Sequence, residues 1–314
     1  MRILERDIPD ANRRLSVLYS HPEWIVKALK LALEADGREE VEKLLRANND
    51  APSVNLVALP NHTFEGDDDL VREGVSPLGV RLEGGDPSHL DGFKDGSLRV
   101  QDQGSQLAAL ALSRVAPIRA GERWLDLCAG PGGKAALLGA EAQVGGAKLV
   151  ANEISNHRSR LVSQALRDSG VSAEVVNEDG RTLDKGKFDR IMIDAPCTGL
   201  GALRRRPESR WRKTPDDLKE LTLLQADLLE SGWRQLKPGG YLAYVTCSPH
   251  PAETTAILSK HLSKHKDAEL VDAGKVLESI SDEFMPNPNR KTVQLWPHTN
   301  DTDAMFISIV RKVG

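Results

Sequence analysis

Two cysteines of this chain follow apolar runs that are typical of buried strands. Cys197 ends the motif Asp194-Ala195-Pro196-Cys197 after the run 188–193, and Cys247 follows the run 241–246. In an open α/β sheet, the carboxyl ends of neighbouring strands lie about 5 Å apart and carry the chemistry. If these two strands are neighbours, both thiols face one pocket.

A pair of thiols beside a cofactor suits methylation of a pyrimidine at carbon 5. Carbon 5 of cytosine is a poor nucleophile until a thiolate adds to carbon 6, and a proton must leave carbon 5 before the thiol is expelled. One thiol can add while the other assists release. Asp194 can hold the Watson–Crick edge of the base if the nucleotide is unstacked or flipped out. The spacing alone does not assign the two cysteine roles.

A glycine-rich segment, residues 126–134, connects a predicted strand to a predicted helix. Glycines let a ligand approach the backbone, and the N-terminus of a helix offers unpaired N–H groups. The P-loop spacing fails, because Cys128 and Ala135 stand where that motif needs a glycine and a hydroxyl. A permissive dinucleotide fingerprint does fit Gly130, Gly132 and Ala135.

Two acidic residues bear on the ligand of this loop. Glu153 follows the predicted strand 148–152, where it can hold the ribose hydroxyls of a dinucleotide or of S-adenosylmethionine. Asp179 follows the predicted strand 173–176 and can meet the adenine amino group. The loop and its acids leave a nucleotide and S-adenosylmethionine equally open.

A basic segment, residues 204–213, lies downstream of Cys197 and contains Trp211. This composition is typical of a surface that binds a polyanion. The formal net charge of −4 argues against a protein that coats nucleic acid indiscriminately, because such binding needs broad positive charge. RNA binding would therefore be local, and we expect its cations to be Arg204, Arg205, Arg206, Arg210, Arg212 and Lys213.

The elements that must position these residues alternate between strand and helix from about residue 98. The predicted strands are 123–128, 148–152, 173–176, 188–194, 241–246 and 304–310, and the predicted helices are 133–141, 155–169 and 215–236. Such alternation predicts an α/β fold with a mostly parallel sheet and helices on both faces.

The chain divides into three predicted parts. Residues 1–48 form a helical segment, because their apolar side chains recur with amphipathic spacing. Residues 49–97 form a small α+β module, in which short apolar runs alternate with Gly, Pro and Asp clusters. Residues 98–314 form the domain that carries the two thiols and the glycine loop.

Composition excludes several classes of protein. With 39% hydrophobic and 28% charged residues, the 314-residue chain is typical of a soluble protein. Its three cysteines are too few for a disulfide framework, no spacing suggests zinc, and we expect no metal. Cys128 is expected to be a small buried hydrophobe. The charged residues 1–7 do not suit a signal peptide, and no apolar run reaches membrane-spanning length, so we expect a cytoplasmic protein.

The two proline-linked cysteine motifs, together with the segments 18–24, 100–105, 295–298 and 302–306, make the resemblance to one family specific. The chain resembles the RNA 5-methylcytosine methyltransferases of bacterial rRNA and of eukaryotic NOL1/NOP2/Sun proteins, and most closely the bacterial small-subunit rRNA branch called Sun, Fmu or RsmB. The resemblance covers nearly the whole chain. It implies a class I, Rossmann-like methyltransferase with a seven-stranded sheet, which uses S-adenosylmethionine to methylate carbon 5 of a cytosine in rRNA through a covalent Cys–C6 adduct.

The resemblance also implies roles for individual residues. Cys247 would be the nucleophile, Cys197 the thiol that helps to release the product, and Asp194 the contact to the base. The module at 49–97 would contribute to RNA binding. The cofactor site would comprise Cys128, Ala129, Gly130, Pro131, Gly132, Gly133, Lys134, Glu153, Asp179 and Asp194.

The expected partner is small-subunit rRNA, with no membrane and no second copy of the chain. Many members of the branch carry an upstream NusB-like RNA-binding domain, whereas this sequence begins after that region. Two other functions compete with RNA methylation. A nicotinamide oxidoreductase would bind a nucleotide and have no use for Cys247. An assembly factor without catalysis would bind RNA on the same surface.

Overall fold

Three helices begin the part of the chain that the computed structural model describes, which comprises residues 8–63 and 69–314. Residues 1–7 of the predicted helical segment lie outside it. The helices pack against Leu200, Leu203 and Trp296 from the second half of the chain. They therefore support the segment that follows Cys197. Their bounds are α1 (Ala11–Tyr19), α2 (Glu23–Ala35) and α3 (Val41–Ala47).

A small antiparallel sheet follows, in the strand order β2-β3-β1-β4. Its strands are β1 (Val54–Ala58), β2 (Leu70–Val71), β3 (Gly79–Leu82) and β4 (Leu98–Val100), and the short helix α4 (Asp91–Lys94) precedes β4. Residues 64–68 of the predicted α+β module are not among those described. The side chains of Asn61 and His62 bind the Ser169 carbonyl, each at 2.9 Å, and so join this sheet to the larger one.

The second sheet carries the two thiols and the glycine loop. Its first half alternates strand and helix: α5 (Gln103–Ser113), β5 (Arg123–Asp126), α6 (Gly133–Val144), β6 (Lys148–Asn152), α7 (Asn156–Asp168), β7 (Ala173–Val176) and β8 (Phe188–Asp194). Its second half comprises α8 (Ser209–Arg212), α9 (Pro215–Gln235), β9 (Leu236–Thr246), α10 (Thr255–Lys264), β10 (Ala268–Val271), α11 (Ala273–Glu278), β11 (Val293–Gln294), α12 (Pro297–Asn300) and β12 (Phe306–Lys312).

The strand order of this sheet is β10-β12-β9-β8-β5-β6-β7, with β11 added beside β12. Strands β5 to β9 are parallel, and β12 runs antiparallel to both β9 and β10. The order reverses between β5 and β8, and an open α/β sheet binds its ligand at such a point. The predicted α/β fold is confirmed, and its crevice lies where the glycine loop and the Asp194 motif begin.

Local signals explain the helix starts. Ser155 caps α7, since its hydroxyl accepts the N–H of Arg158. Thr214 and Asp217 form a capping box at the start of α9, with Pro215 in the first turn. Both starts agree with the sequence prediction.

Strand β5 ends at Asp126 rather than at residue 128, and two other strands begin at a different residue than predicted. Strand β9 begins at Leu236 rather than at residue 241, because Leu236 already pairs with Phe188 before an irregularity in the register. Strand β12 begins at Phe306 rather than at residue 304, because the Ala304 N–H binds the Gly201 carbonyl outside the ladder, at 2.9 Å.

No helix within residues 8–63 or 69–314 combines the length and the apolar character that crossing a membrane requires.

Candidate active site

The two thiols meet where β8 and β9 end. These strands are parallel neighbours, with Asp194 opposite Val245, and the sulfur atoms of Cys197 and Cys247 lie 3.4 Å apart. A disulfide requires about 2.05 Å, so the pair is reduced and hydrogen-bonded. Both cysteines line a cavity of about 430 Å³, here called the thiol cleft. The predicted convergence of the thiols is therefore present.

The surroundings of the two sulfur atoms differ in charge. The hydrogen bond from Cys197 lowers the pKa of Cys247, and the Lys134 ammonium acts in the same direction against burial and the Asp194 carboxylate. The same sulfur contact, with burial and the charges of Cys247 and Glu253, raises the pKa of Cys197 well above its usual value. Cys247 is thus the thiol that ionises first, while Cys197 keeps its proton.

Lys134 joins the glycine loop to the thiol motif. Its ammonium donates to Asp194 Oδ2 at 2.9 Å and to Ser105 Oγ at 3.1 Å. Burial lowers the pKa of Lys134, but the Asp194 carboxylate outweighs burial and raises it. The side chain therefore remains a cation inside the cleft.

The glycine loop folds onto the end of β6. The Gly130 N–H donates to Glu153 Oε2 at 3.1 Å, and a Cβ on Gly130 would lie 2.1 Å from that oxygen. Gly132 has φ +115, and a Cβ there would lie 2.6 Å from the Ala165 side chain. Gly132 therefore needs glycine, because of its positive φ and its contact with α7, whereas a side chain at position 130 would displace the Glu153 carboxylate. The Arg158 guanidinium also donates to the Gly130 carbonyl.

A second cavity of about 310 Å³, the cofactor cavity, adjoins the thiol cleft. Besides Asp194, its acids are Glu153 and Asp179, which follow the two strands expected to bind the adenosine part of a ligand. Asp179 accepts hydrogen bonds from Arg181, which lower its pKa, so it offers a carboxylate. Polar strand ends and apolar walls suit an adenosine group. The remaining lining residues include Leu127, Cys128, Asn152, Ile154, Gly180, Leu224 and Leu228.

Asp194 and Pro196 line both cavities and separate them. Of the glycine loop, Cys128 lines the cofactor cavity, whereas Ala129, Gly130, Pro131, Gly133 and Lys134 line the thiol cleft. A group bound in one cavity is therefore next to a group bound in the other. This adjacency is what a transfer between cofactor and substrate requires.

Asp126 is a residue that sequence reasoning left without a role. It is fully buried at the end of β5, where Oδ1 accepts the Cys128 N–H at 3.3 Å and Oδ2 has no partner among the described residues. Burial, followed by the nearby Asp194 charge, raises its pKa to about 7. The sequence feature that points to Asp126 is its position at the start of the glycine-rich segment 126–134.

Gln101 was also left without a role. It is 7% exposed and lines the thiol cleft, but neither atom of its side-chain amide meets a hydrogen-bond partner in the described part of the chain. A buried amide in this state costs free energy, so a polar ligand is the expected partner. The sequence feature that points to Gln101 is its position in the segment 100–105, which is one of those that carry the family resemblance.

The predicted RNA-binding cations fall into two groups, and the prediction is wrong for Arg204 and Arg210. Arg204 is buried and donates to Asp301 Oδ1 at 2.6 Å. Arg210 is buried and donates to the Asn48 carbonyl at 2.6 Å. Both arginines tie the basic segment to its neighbours and do not face solvent.

The other cations of the segment remain accessible. Arg206 and Arg212 are exposed, and Lys213 is half-buried. The Arg205 guanidinium pairs with the buried Asp303, although 41% of the Arg205 side chain is exposed. Arg205, Arg206 and Lys213 line the thiol cleft. The indole of Trp211 is 67% exposed beside them.

Among the described residues, one group of side chains away from the cleft has metal-ligand spacing: Glu230 on α9, His261 on α10 and His265 directly after α10. The Glu230 carboxylate already accepts from Lys264 at 2.6 Å and from both imidazoles at 3.0–3.1 Å. The Lys264 ammonium on this carboxylate repels a second cation, which disfavours a metal ion there. We interpret the group as an ion-pair network that joins α10 to α9.

Comparison with known proteins gives consistent matches. Residues 114–311 match the family described as 16S rRNA methyltransferase RsmB/F. A Mycobacterium tuberculosis H37Rv protein described as a methyltransferase is 42% identical over 316 residues, which cover 97% of this chain and 67% of the relative. Ribosomal RNA small subunit methyltransferase B of Serratia proteamaculans is 33% identical over 309 residues, covering 94% and 67%.

Solved structures share the fold over most of the chain. The protein PH0851 is 26% identical with a TM-score of 0.83, covering 96% of this chain and 68% of that one. NSun6 from Pyrococcus horikoshii, solved with SFG, has a TM-score of 0.76 at 18% identity and covers 93% and 98%. From the family match and the relatives together, the chain belongs to the RsmB/F family of 16S rRNA methyltransferases, has the class I methyltransferase fold, and uses S-adenosylmethionine as cofactor.

Proposed function

We propose that this protein transfers a methyl group from S-adenosylmethionine to carbon 5 of a cytosine in RNA, through a covalent adduct between Cys247 and carbon 6. The observation that carries the proposal is the 3.4 Å contact between the sulfur atoms of Cys197 and Cys247, in a cleft that adjoins the cofactor cavity. Small-subunit rRNA is the proposed substrate, because the Serratia relative is named for that RNA. We further propose that the protein acts in the cytoplasm as a monomer.

Cys247 begins the reaction as a thiolate. Its sulfur forms a bond to carbon 6 of the base, and the electrons of the C5–C6 double bond move to carbon 5, which becomes nucleophilic. The hydrogen bond from Cys197 and the Lys134 ammonium favour the thiolate in the free enzyme. Asp194, held by Lys134 at 2.9 Å, contacts the amino edge of a base that has left its stack.

S-adenosylmethionine supplies an electrophilic methyl group. The residues that would hold it are Glu153 at the ribose, Asp179 at the adenine amino group, Asp194 and the backbone of the loop 128–134. The apolar walls of the cofactor cavity would shield the adenosine part from water, and Asp194, which lines both cavities, would lie next to both the cofactor and the base.

Cys197 then releases the product. The charge of the Cys247 sulfur is a cause of the raised pKa of Cys197, and this cause disappears when Cys247 becomes a thioether. Cys197 can then lose its proton to solvent and take the proton from carbon 5. The C5–H electrons restore the double bond, the C6–S bond breaks, and Cys247 leaves as a thiolate. One proton is released in each cycle, and the original hydrogen-bonded pair returns.

RNA contacts surround the thiol cleft in this proposal. Arg205, Arg206, Arg212 and Lys213 are the accessible cations of the basic segment and would meet phosphates. We propose that the chain has three parts, namely a helical segment at 1–48, an RNA-contacting module at 49–97 and the methyltransferase domain at 98–314.

The test compares Cys247→Ala with Cys197→Ala on RNA and S-adenosylmethionine. We expect Cys247→Ala to form no covalent complex, and Cys197→Ala to accumulate one that survives a denaturing gel. The opposite pattern would reverse the two roles. If wild type and both variants give no covalent species and no methyl transfer, the chain is an RNA-binding factor without catalysis.

A further inference from the structure

A buried carboxylate touches both loops that carry the thiols. Glu253 is fully buried at the end of a 3₁₀ turn, Pro251–Glu253, that follows the Cys247 loop. Its Oε1 accepts the Thr198 N–H at 2.8 Å, and its Oε2 accepts the Thr198 hydroxyl at 2.5 Å and the Ser248 hydroxyl at 2.6 Å. Thr198 directly follows Cys197, and Ser248 directly follows Cys247. One carboxylate therefore holds both residues that adjoin the thiols.

Helix α9 completes this arrangement. Gln225 donates from one amide nitrogen to Glu253 Oε1 at 3.1 Å and to the Pro196 carbonyl at 2.9 Å. The Tyr244 hydroxyl donates to the Glu253 carbonyl at 2.7 Å and so fixes its backbone. A buried carboxylate is stable only when donors surround it, and Glu253 has four such contacts.

We propose that Glu253 is a positioning residue that keeps Cys197 and Cys247 within hydrogen-bond distance of each other. Its position at the two thiols stands on the contacts alone, whereas its effect on product release rests on the proposed function. Glu253 does not need to contact the substrate, because it acts through the two cysteine loops.

Charge supports the geometry. The Glu253 carboxylate is one cause of the raised pKa of Cys197, and Lys134 is one cause of the lowered pKa of Cys247. An anion on one side and a cation on the other side of the sulfur pair thus favour the same proton position. Loss of either charge weakens the difference between the two thiols.

The test uses Glu253→Gln in the full chain, with Glu230→Gln as the matched control. Glu230 also accepts several hydrogen bonds and joins α9 to its neighbour, but it does not line the thiol cleft. The first measurement is the pH dependence of iodoacetamide alkylation at each cysteine, read by peptide mass spectrometry without RNA or cofactor. We expect Glu253→Gln to slow Cys247 alkylation at neutral pH about tenfold, equivalent to one pKa unit, because the sulfur contact loosens. Glu230→Gln should leave the profile unchanged.

The second measurement adds RNA and S-adenosylmethionine. Glu253→Gln should accumulate more covalent complex than wild type, because Cys197 no longer lies in place for release. An unchanged alkylation profile with a lowered melting temperature would make Glu253 purely structural and overturn the proposal. If Glu253→Gln does not fold, Thr198→Val decides instead, since it removes one of the contacts and should shift the profile in the same direction; no shift rejects the proposal.

Failure of the proposed function is separable from this result. Should Cys197→Ala accumulate no adduct, the proposed chemistry fails, whatever the alkylation profile of Glu253→Gln shows. Conversely, an adduct in Cys197→Ala combined with an unchanged profile in Glu253→Gln rejects only the role of Glu253.

Discussion

Lys134 and Asp194 form an ion pair of 2.9 Å that connects the glycine loop after β5 with the thiol motif after β8. Both side chains are largely buried, with 11% and 25% of their surfaces exposed. The pair lies at the point where the strand order reverses and where the two cavities meet. Lys134 favours the ionisation of Cys247 and would also orient Asp194 for the base contact proposed above.

Lys134→Met should move the acidic limb of the pH–rate profile to higher pH. Attack needs the Cys247 thiolate, and removing the ammonium while leaving Asp194 unpaired raises the pKa of that thiol. We expect a shift of about one pH unit, hence about tenfold slower methyl transfer on the acidic limb. Lys134→Arg keeps the charge and should retain the wild-type limb. An unmoved limb in Lys134→Met would show that Lys134 does not tune Cys247.

Asp126→Asn should change how stability depends on pH. The pKa of Asp126 is about 7 in the folded chain and near 3.8 in the unfolded one. Between these values the folded state binds the extra proton, so this group's contribution to stability is full below about pH 4 and is lost as pH rises through 7. The slope is at most about 1.4 kcal/mol per pH unit.

Asparagine at position 126 removes this contribution while its carbonyl can still accept the Cys128 N–H. Urea unfolding should therefore give a variant that gains stability relative to wild type as pH rises from 5 to 8, by at most about 3 kcal/mol. Equal pH slopes for the two proteins would show that Asp126 is not protonated in the fold.

The sequence predicted the parallel sheet well, because its signals are local. Apolar runs 148–152, 173–176 and 188–194 coincide with β6, β7 and β8. The start of β12 was missed, because Ala304 pairs with Gly201, a partner distant in sequence. The predicted site required β8 and β9 to be neighbours, and only the three-dimensional structure shows that they are.

The candidate site was predictable in its residue types but not in its contacts. The two cysteine motifs and the glycine loop have short signatures, whereas Glu253 reaches Thr198 across a long stretch of chain. Burial is equally hidden in the sequence. Arg204 and Arg206 look alike in a basic run, yet Asp102, Asp301 and Asp303 surround the Arg204 guanidinium, whereas Arg206 remains in solvent.

Accessible and buried arginines of the basic segment should behave differently when substituted. The double substitution Arg206→Ala/Arg212→Ala should weaken RNA binding with little change in stability. The slope of log K against log salt concentration should become shallower by about 0.7–0.9 for each phosphate contact removed. Arg210→Met should instead cost about 1–3 kcal/mol of folding free energy, because the buried Asn48 carbonyl loses its donor. Filter binding against salt and urea unfolding measure the two effects. A flattened salt slope in a stable Arg210→Met would place Arg210 at the RNA after all.

Gln101 and Gln103 provide a matched pair for the last prediction. Both are buried, but Gln103 binds the Ser76 N–H at 2.9 Å and the Glu73 carbonyl at 2.7 Å, whereas the Gln101 amide meets no partner among the described residues. Replacing a partnered amide with leucine leaves buried polar groups behind, so Gln103→Leu should lose about 2–4 kcal/mol. Gln101→Leu leaves none, and its stability should match or exceed wild type.

Activity should show the reverse order. If the Gln101 amide binds a polar ligand in the thiol cleft, Gln101→Leu should lower kcat/KM for RNA methylation by about 10–100-fold, the usual effect of one lost hydrogen bond to a substrate. A stable Gln101→Leu with wild-type kcat/KM would contradict a role in binding. A buried amide without a partner costs free energy in the free protein, so a ligand that bonds to the Gln101 amide gains affinity by removing this cost. Gln101 is therefore expected to affect activity, whereas Gln103 affects stability.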